Sequence, residues 1–370
     1  MSSSAGGGGG GDPKLPHDVI IEILKRLPAR SLLRFRSVCR LWRSTIDDLA
    51  FVALHSRYSA LDASSRYVVC IDWGGPDERR CSLFRSESFA LQSPSQIEIP
   101  FVNPVNGYAL VGSCNGLICF TELSKHSRDE TMYVWNLFTR RYKAVILSHP
   151  GLFSAATTPE ALGFGFDAWS GDYKIVRIRY RHDTYLVEIY SLRMDSWRSL
   201  ECQVPAFCAF RPSVFLNGNL HWHLFEHDDP RKERKEGGWD SILLFDLAGE
   251  MFHEMALPEE MIHQDNGYLL AHLSVLDDFL AMFIHVTDRV HSCSVWVMRE
   301  YCSPDSWTEL YSVKSPGLVT NFYGFMSNGN VLMEMDDKRV CWDPKTGQYV
   351  NLPLSANLNL VTVGESLLSF

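Results

Sequence analysis

Two histidines have the type and spacing that could bind a metal ion. His221 and His223 flank Trp222, and His227 follows nearby. On a strand, residues 221 and 223 face the same side, and imidazole is the commonest metal-binding side chain. No carboxylate or cysteine stands at a fixed ligand spacing from them. We therefore expect these side chains to pack in a core, and we expect no metal site and no cofactor.

Two cysteines flank a tight turn and invite a nucleophilic or redox interpretation. Cys114 and Cys119 lie on either side of Asn115-Gly116. A nucleophilic cysteine needs an adjacent base or a cationic setting, and the sequence shows neither. The favoured interpretation is a pair of buried structural thiols.

The third candidate is the charge-dense stretch EHDDPRKERKEGG at 226–238. Such a run could be a nuclear-import patch or a contact for an acidic partner, but a solvated loop is the commoner case. The chain has no nucleotide-binding glycine motif, no hydrolase elbow and no HExxH sequence. We therefore expect a protein that is not an enzyme and has no catalytic residue.

Composition bounds the class and the compartment. Of the 370 residues, 46% are hydrophobic and 21% are charged, which is typical of a globular protein. No run of eighteen apolar residues occurs, and the glycine-rich start does not resemble a signal peptide. The ten cysteines are scattered without a C-x-x-C pair. This usage favours a reducing compartment, so we expect a cytoplasmic or nuclear protein that does not bind membranes.

The net charge of −9 is unevenly distributed. Residues 1–58 contain nine Lys and Arg against five Asp and Glu, a net charge of +4. The remainder contains 26 against 39, a net charge of −13, and the two parts sum to −9. An acidic partner would be attracted to the basic end. The acidic remainder weighs against nucleic acid as a partner.

The basic end also contains the only segment that predicts compact helices, 15–48. The expected helices run from about His17 to Arg26, from Ala29 to about Arg36, and from about Ser37 to Asp48. Between Val19 and Leu27, six of nine residues are apolar. Units below about 40 residues seldom bury so many apolar groups unaided. The helices therefore pack either on a partner protein or on the rest of this chain.

After about Tyr67 the sequence predicts strands and turns with an internal repeat. In each copy one strand ends at an aromatic residue, a turn follows, and the next strand begins at a second aromatic residue. The copies are Trp135 to Tyr142, Tyr190 to Trp197, Phe245 to Phe252, Trp296 to Trp307 and Trp342 to Tyr349, with a fainter one at Phe89. The second aromatics from 142 to 349 are separated by 55, 55, 55 and 42 residues.

A second series of tight turns lies between these hairpins. It comprises Asn115-Gly116, 170–172, Asn217-Gly218, Asp277-Asp278 and Asn328-Gly329. Two hairpins per unit of about 50 residues give four strands, the pattern of a kelch-like β-propeller. Six copies predict six blades, although five or seven remain possible. We expect Asn359–Phe370 to close the ring on a strand near Tyr67–Trp73; a β-sandwich is the competing fold.

The helical segment resembles a known module. LPxDVIxEILxRLPxxSLLRFRxVCRxWRxxI resembles an F-box, which binds the Skp-type adaptor of a cullin–RING ubiquitin ligase. The proline that often precedes the closing phenylalanine of the family is absent from Asp48-Leu49-Ala50-Phe51. The resemblance implies an acidic adaptor as partner. It also implies these adaptor-binding residues: Leu15, Pro16, Val19, Ile23, Leu27, Pro28, Leu32, Leu33, Val38, Cys39 and Trp42.

The remainder resembles the F-box-associated domain of plant F-box proteins. The matching stretches are GSCNGLICF at 112–120, VWNLFTRRYKAV at 134–145, LGFGFDAWSGDYKIVRI at 162–178 and FLNGNLHW at 215–222. The family usually has a turn proline where this chain has Leu137. An F-box followed by this array resembles a substrate receptor of an SCF (Skp–cullin–F-box) ubiquitin ligase.

These observations predict an α+β chain of two folded parts. A disordered tail at 1–13 precedes an F-box at 14–55, a linker at 56–66, and an all-β propeller at 67–370. The expected partners are the adaptor, through it cullin and RING subunits, and an unidentified target protein held by propeller loops. The alternatives are a scaffold outside a ligase and a sugar-binding or enzymatic propeller.

Overall fold

In this computed structural model the described residues are 15–62, 65–72, 80–85, 95–103, 106–123, 131–147, 160–181, 184–204, 212–224, 241–262, 268–287, 291–326, 328–352 and 358–369. The predicted tail at 1–13, the charged stretch at 226–238, Phe89 and His227 lie outside these ranges. No helix among the described residues is long and apolar enough to cross a membrane.

The N-terminal part consists of four helices. They are α1 (His17–Leu24), α2 (Ala29–Phe35), α3 (Arg40–Asp47) and α4 (Leu49–Leu61). Pro16 and Pro28 directly precede α1 and α2, where a fixed φ and a missing N–H are tolerated. The Asp48 carboxylate accepts a hydrogen bond of 2.7 Å from the Ala50 N–H and caps α4.

The sequence predicts three helices, and α4 is an addition. Its buried side chains are Phe51, Val52, His55 and Ser59, which recur at helical spacing. Two of these four are polar, so hydrophobic periodicity does not reveal the helix. The second half of α4 occupies 56–61, the beginning of the segment expected to be a linker.

The remainder contains 24 described strands. The first three are β1 (Arg66–Asp72), β2 (Arg80–Arg85) and β3 (Ser95–Glu98). Then follow β4 (Gly107–Cys114), β5 (Leu117–Leu123), β6 (Thr131–Asn136), β7 (Arg141–Ile146), β8 (Glu160–Asp167), β9 (Asp172–Arg181), β10 (Thr184–Ser191) and β11 (Ser196–Leu200).

The second half of the domain continues in the same manner. It has β12 (Val214–Leu216), β13 (Asn219–Leu224), β14 (Ser241–Asp246), β15 (Met251–Ala256), β16 (Tyr268–Leu276), β17 (Phe279–Thr287), β18 (Ser292–Met298) and β19 (Trp307–Lys314). It ends with β20 (Val319–Phe325), β21 (Val331–Met335), β22 (Lys338–Asp343), β23 (Gln348–Leu352) and β24 (Leu358–Gly364). A short helix, α5 (Glu259–Ile262), follows β15.

The strands form six four-stranded antiparallel sheets, the six blades that the repeat predicts. Five blades are sequential. The sixth has the order β24-β1-β2-β3, and Arg66 to Asp72 pair in register with Gly364 to Leu358. The predicted ring closure is therefore confirmed, and the β-sandwich is excluded. The closing strand ends at Gly364, and residues 365–369 leave the sheet.

The predicted aromatic hairpins form in all five described copies, and in four of them the two aromatic residues lie opposite each other. Trp135 lies opposite Tyr142, and the same register holds for the pairs beginning at Tyr190, Phe245 and Trp342. In the longer copy, β18 and β19 also form a hairpin, but its two tryptophans do not lie opposite each other. Trp296 lies opposite Glu309 and Trp307 opposite Met298, and the register shifts between Val295 and Trp296.

Three of the tight turns have two residues with positive φ. Asn115 and Gly116 have φ values of 49° and 77°, Asn217 and Gly218 have 50° and 81°, and Asp277 and Asp278 have 47° and 64°. Asparagine, aspartate and glycine tolerate this left-handed region best, which explains the Asn-Gly signal.

The innermost strands are β4, β8, β12, β16, β20 and β24, which contact one another around the centre. Apolar side chains fill the spaces between neighbouring blades. The fully buried Trp222 also donates from Nε1 to the Leu162 carbonyl at 3.0 Å, which joins β13 to β8. Each blade is thus held by its neighbours as well as by its own hydrogen bonds.

Candidate protein-binding site

The apolar side chains of the four helices divide into a buried and an exposed set. The buried set is Ile20, Leu24, Ala29, Leu32, Ile46, Phe51 and Val52. The exposed set, each side chain 40–81% accessible, is Leu15, Val19, Ile23, Val38, Leu41 and Leu49. Val19 and Ile23 are four residues apart and lie on one side of α1, and Leu15 precedes the helix. The apolar surplus that the sequence predicts is therefore partly buried in this chain and partly left at the surface.

The structure places most of the eleven expected adaptor-binding residues at the surface. Leu15, Pro16, Val19, Ile23, Pro28, Val38 and Cys39 are exposed, and Leu27, Leu33 and Trp42 are half-buried. Leu32 is the exception, because it is fully buried in the helical core. Adjacent helical residues point about 100° apart, so Leu32 and Leu33 cannot share one side. We therefore remove Leu32 from the candidate surface.

Two exposed apolar residues were not among the expected ones. Leu41 lies in α3 between Arg40 and Trp42, and Leu49 is the first residue of α4. In each case a charged residue directly precedes the large apolar one in the sequence, so hydrophobic periodicity does not single out the apolar residue. Together with Leu15, Val19, Ile23 and Val38 they make up the exposed apolar side chains of the helices, which we call the helical surface.

Several positively charged side chains are exposed on the helices that carry the helical surface. Arg30, Arg34 and Arg40 are exposed on the same short helices. Arg36 forms an ion pair of 2.6 Å with Asp47, which joins the end of α2 to α3. Exposed apolar side chains together with exposed arginines favour binding of a protein partner of opposite charge.

The histidine pair at 221 and 223 is part of the propeller core. His221 is fully buried, with Nδ1 3.0 Å from the Val214 carbonyl and Nε2 3.0 Å from the Tyr301 hydroxyl. Because a carbonyl only accepts, Nδ1 carries the proton and Nε2 accepts from Tyr301. Burial lowers the pKa of His221 to about 4. Among the described residues, no group of three or more His, Cys, Asp or Glu could hold a metal ion.

The two cysteines at the first tight turn are structural. Cys114 and Cys119 are both buried in the cluster that joins neighbouring blades. Burial raises the pKa of each thiol above its ordinary value. A protonated thiol is a weak nucleophile, so the structural interpretation is confirmed.

The helices are seated on one face of the propeller. Helix α4 contributes Ser56, Ser59 and Ala60 to the lining of the central cavity of about 500 Å³, with five of the six innermost strands. The chain leaves β24 at Glu365 and contacts α2 there. The helices therefore lie against the face at which the innermost strands end, which we call the turn face. The opposite face, at which the innermost strands begin, points away from the helices.

A helical module with an exposed apolar surface, seated on a six-bladed propeller, defines an F-box protein of two domains. The comparison with protein families agrees with this class. Residues 13–53 match the F-box domain, and residues 85–366 match the F-box associated beta propeller domain. Because the second match covers most of the chain, the protein belongs to the F-box associated beta propeller family.

Relatives extend over nearly the whole length. An F-box/kelch-repeat protein of Arabidopsis thaliana is 27% identical over 365 residues, 93% of this chain and 92% of the relative. The F-box protein CPR1 of the same plant is 26% identical over 360 residues, 89% and 81% of the two chains. Among solved structures, TolB from Acinetobacter baumannii overlaps with a TM-score of 0.49 at 12% identity, covering 84% of this chain and 70% of TolB.

Proposed function

We propose that this chain is the substrate receptor of an SCF-type ubiquitin ligase. The F-box would bind a Skp-type adaptor and through it the cullin and RING subunits, and the propeller would hold a target protein. Membership of the family supports a receptor role in general. The observation that carries the specific proposal is the helical surface, which stays exposed although the propeller is already closed on its own strands.

The proposed mechanism is proximity, and the chain itself is not a catalyst. Holding a target near a ubiquitin-conjugating enzyme raises the effective concentration of the two reactants and needs no catalytic side chain on the receptor. Ubiquitination would then lead to degradation of the target. The cytoplasm or the nucleus, where such ligases act, is part of the proposal.

The adaptor would bury the helical surface. Fully burying a Val, Leu or Ile side chain contributes roughly 1.5–3 kcal/mol. Six such side chains can therefore supply most of the affinity, even after the cost of association is subtracted. The exposed arginines would orient an acidic adaptor as it approaches.

The target would bind the face opposite the turn face. The helices occupy part of the turn face, so a target there would compete with them for space. The opposite face lies at the ends of the innermost strands that point away from the helices, and loops at the edge of a rigid scaffold are where binding residues concentrate. This arrangement would hold the adaptor and the target on different sides of the receptor.

Val38→Asp tests the adaptor contact without disturbing the helical core. Val38 is exposed by 60%, so a charge there is tolerated in the free protein but would be buried unpaired in the complex. We expect adaptor affinity to fall by roughly 100-fold, on the order of 3 kcal/mol, in calorimetry with a purified Skp-type adaptor. Leu123→Asp, at an exposed strand end of the propeller, is the matched control.

Three results distinguish the alternatives. Loss of adaptor binding in Val38→Asp alone supports the proposal. Equal affinity in the variant and the control would place the interface elsewhere. Capture of the adaptor without the cullin would favour a scaffold acting outside a ligase.

A further inference from the structure

The last described residues of the chain complete the core of the F-box. After β24, residues 365–369 leave the sheet of the sixth blade. Leu367 is buried in the same cluster as Leu24, Leu32 and Ile46, and Leu368 packs against that cluster. The F-box core is thus closed by residues more than 300 positions away in the chain.

Glu365 is hydrogen-bonded to three parts of the molecule, two through its buried carboxylate and one through its backbone N–H. Oε2 accepts a hydrogen bond of 2.6 Å from the backbone N–H of Ala29, at the start of α2. Oε1 accepts one of 2.8 Å from the Tyr67 hydroxyl of β1. The backbone N–H of Glu365 donates to the Ser65 carbonyl at 3.1 Å, just after α4. Burial and this carboxylate together raise the pKa of Tyr67, so its hydroxyl keeps its proton.

The propeller holds the same residues from the other side. The fully buried Asn136, at the end of β6, donates from Nδ2 to the carbonyls of Ser366 and Leu368 at 3.2 and 2.9 Å. The Thr139 hydroxyl donates to the Leu368 carbonyl at 3.3 Å. The Asn115-Gly116 turn lies so close that a Cβ on Gly116 would be 2.5 Å from the Cβ of Ser366.

We propose that residues 365–369 are a clamp that fixes the orientation of the F-box on the propeller, with Glu365 as its positioning residue. This inference rests on the proposed function, in which a ligase must hold its adaptor and its target at a set separation. The clamp contacts both domains, because its backbone carbonyls accept from Asn136 and Thr139 of the propeller, while Leu367 packs in the helical core and Glu365 bonds to both Ala29 and Tyr67. Ubiquitin transfer then depends on the clamp although no clamp residue touches the adaptor.

Removal of either clamp side chain weakens the joint for a definite reason. Without the Glu365 carboxylate, the N–H of Ala29 is buried without this acceptor. Without the Leu367 side chain, a cavity opens between the helices and the propeller. The backbone link at 62–66 remains in both cases. The F-box would therefore stay attached but move relative to the propeller.

A distance measurement on the whole chain tests the clamp. Cys39 on the F-box and Cys302 on the propeller are both exposed and can carry spin labels. Cys202, which is partly exposed, and Cys208 are first replaced by serine. Double electron–electron resonance then gives the distribution of distances between the two labels. Glu365→Ala and Leu367→Ala are compared with Glu309→Ala and Leu123→Ala, two matched residues at exposed positions of the propeller.

We expect one narrow distance in the parent and in both controls, and a shift to a broad distribution in both clamp variants. An unchanged narrow distribution in Glu365→Ala and Leu367→Ala would overturn the proposal. Loss of the propeller's thermal transition in both variants would also overturn it, since the segment would then be part of the propeller. Adaptor binding is measured separately, so a failure of the proposed function leaves the distance result interpretable.

Discussion

At the scale of single residues, buried histidines join distant parts of the fold in their neutral form. His221 connects the Val214 carbonyl of its own blade with the Tyr301 hydroxyl of the next. His55 donates from Nε2 to the Leu27 carbonyl at 2.9 Å and connects α4 to the segment between α1 and α2. Burial lowers the pKa of both residues. Burial therefore favours the neutral ring in both residues, and protonation of His221 would also remove the Nε2 lone pair that accepts from Tyr301.

This arrangement predicts that acid destabilises the protein. Below pH 6.5 the unfolded chain binds protons at His221 and the folded chain does not, until its lowered pKa of about 4 is reached. Stability is thus present above the unfolded pKa and is lost as pH falls. His221 alone should cost about 2 kcal/mol between pH 7 and pH 5, at about 1.4 kcal/mol per unit below 6.5.

The measurement is the urea midpoint of unfolding as a function of pH. His221→Asn keeps a donor toward the Val214 carbonyl but cannot be protonated, so its midpoint should fall less on acidification. His17→Asn, at an exposed position of α1, should retain the parent slope. If the urea midpoint of His221→Asn fell with pH as steeply as that of the parent protein, the acid sensitivity would come from other groups.

At the scale of elements, two Asn-Gly turns of the same geometry have different surroundings. Gly116 and Gly218 both have positive φ, at 77° and 81°. A Cβ on Gly116 would meet Ser366 and the Gly364 carbonyl, whereas one on Gly218 would meet nothing within 4 Å. Only the first turn therefore supports the clamp.

The pair predicts unequal costs for the same substitution. Gly218→Ala should destabilise by about 1–2 kcal/mol, the cost of the left-handed conformation for a residue with a Cβ. Gly116→Ala should cost more, because Ser366 must also move. Thermal unfolding measures both costs, and the distance distribution between Cys39 and Cys302 should broaden in Gly116→Ala alone. Equal costs and equally narrow distributions would show that the turn does not support the clamp.

The same elements show what the sequence could predict and what it could not. The first three helices and the Asn-Gly hairpins depend on residues close in sequence, so local patterns predict them. Local patterns do not predict helix α4, because half of its buried side chains are polar. They do not predict the bulge after Val295 either, because it depends on the register with β19. The bond from Ala29 to Glu365 spans 336 positions, and no local pattern encodes such a contact.

At the scale of the whole molecule, the chain closes twice with the same segment. Strand β24 closes the propeller against β1, and the residues that follow it close the F-box core. The two domains therefore share a boundary in space that does not coincide with any single point in the sequence. The family matches at 13–53 and 85–366 leave both α4, after its first residues, and β1 outside their ranges.

A fragment that begins at Ser65 tests this double closure. The propeller retains all six blades, since β1 and β24 are both present, so we expect a single cooperative thermal transition. Removing the helices exposes Leu367 and Leu368, which the F-box core normally covers. The fragment should therefore self-associate in analytical ultracentrifugation, because an uncovered apolar patch promotes association.

The source of that self-association can be assigned with one further substitution. Leu367→Ser in the fragment should restore the monomer, whereas Leu123→Ser, at a leucine that is exposed in the full chain as well, should not. If the fragment stayed monomeric without the substitution, residues 365–369 would have to be buried against another part of the propeller. A fragment without a cooperative transition would show that the propeller depends on the F-box for its folding. With the expected result, the clamp belongs to the joint, and the orientation of the F-box is set by residues that the propeller does not need for itself.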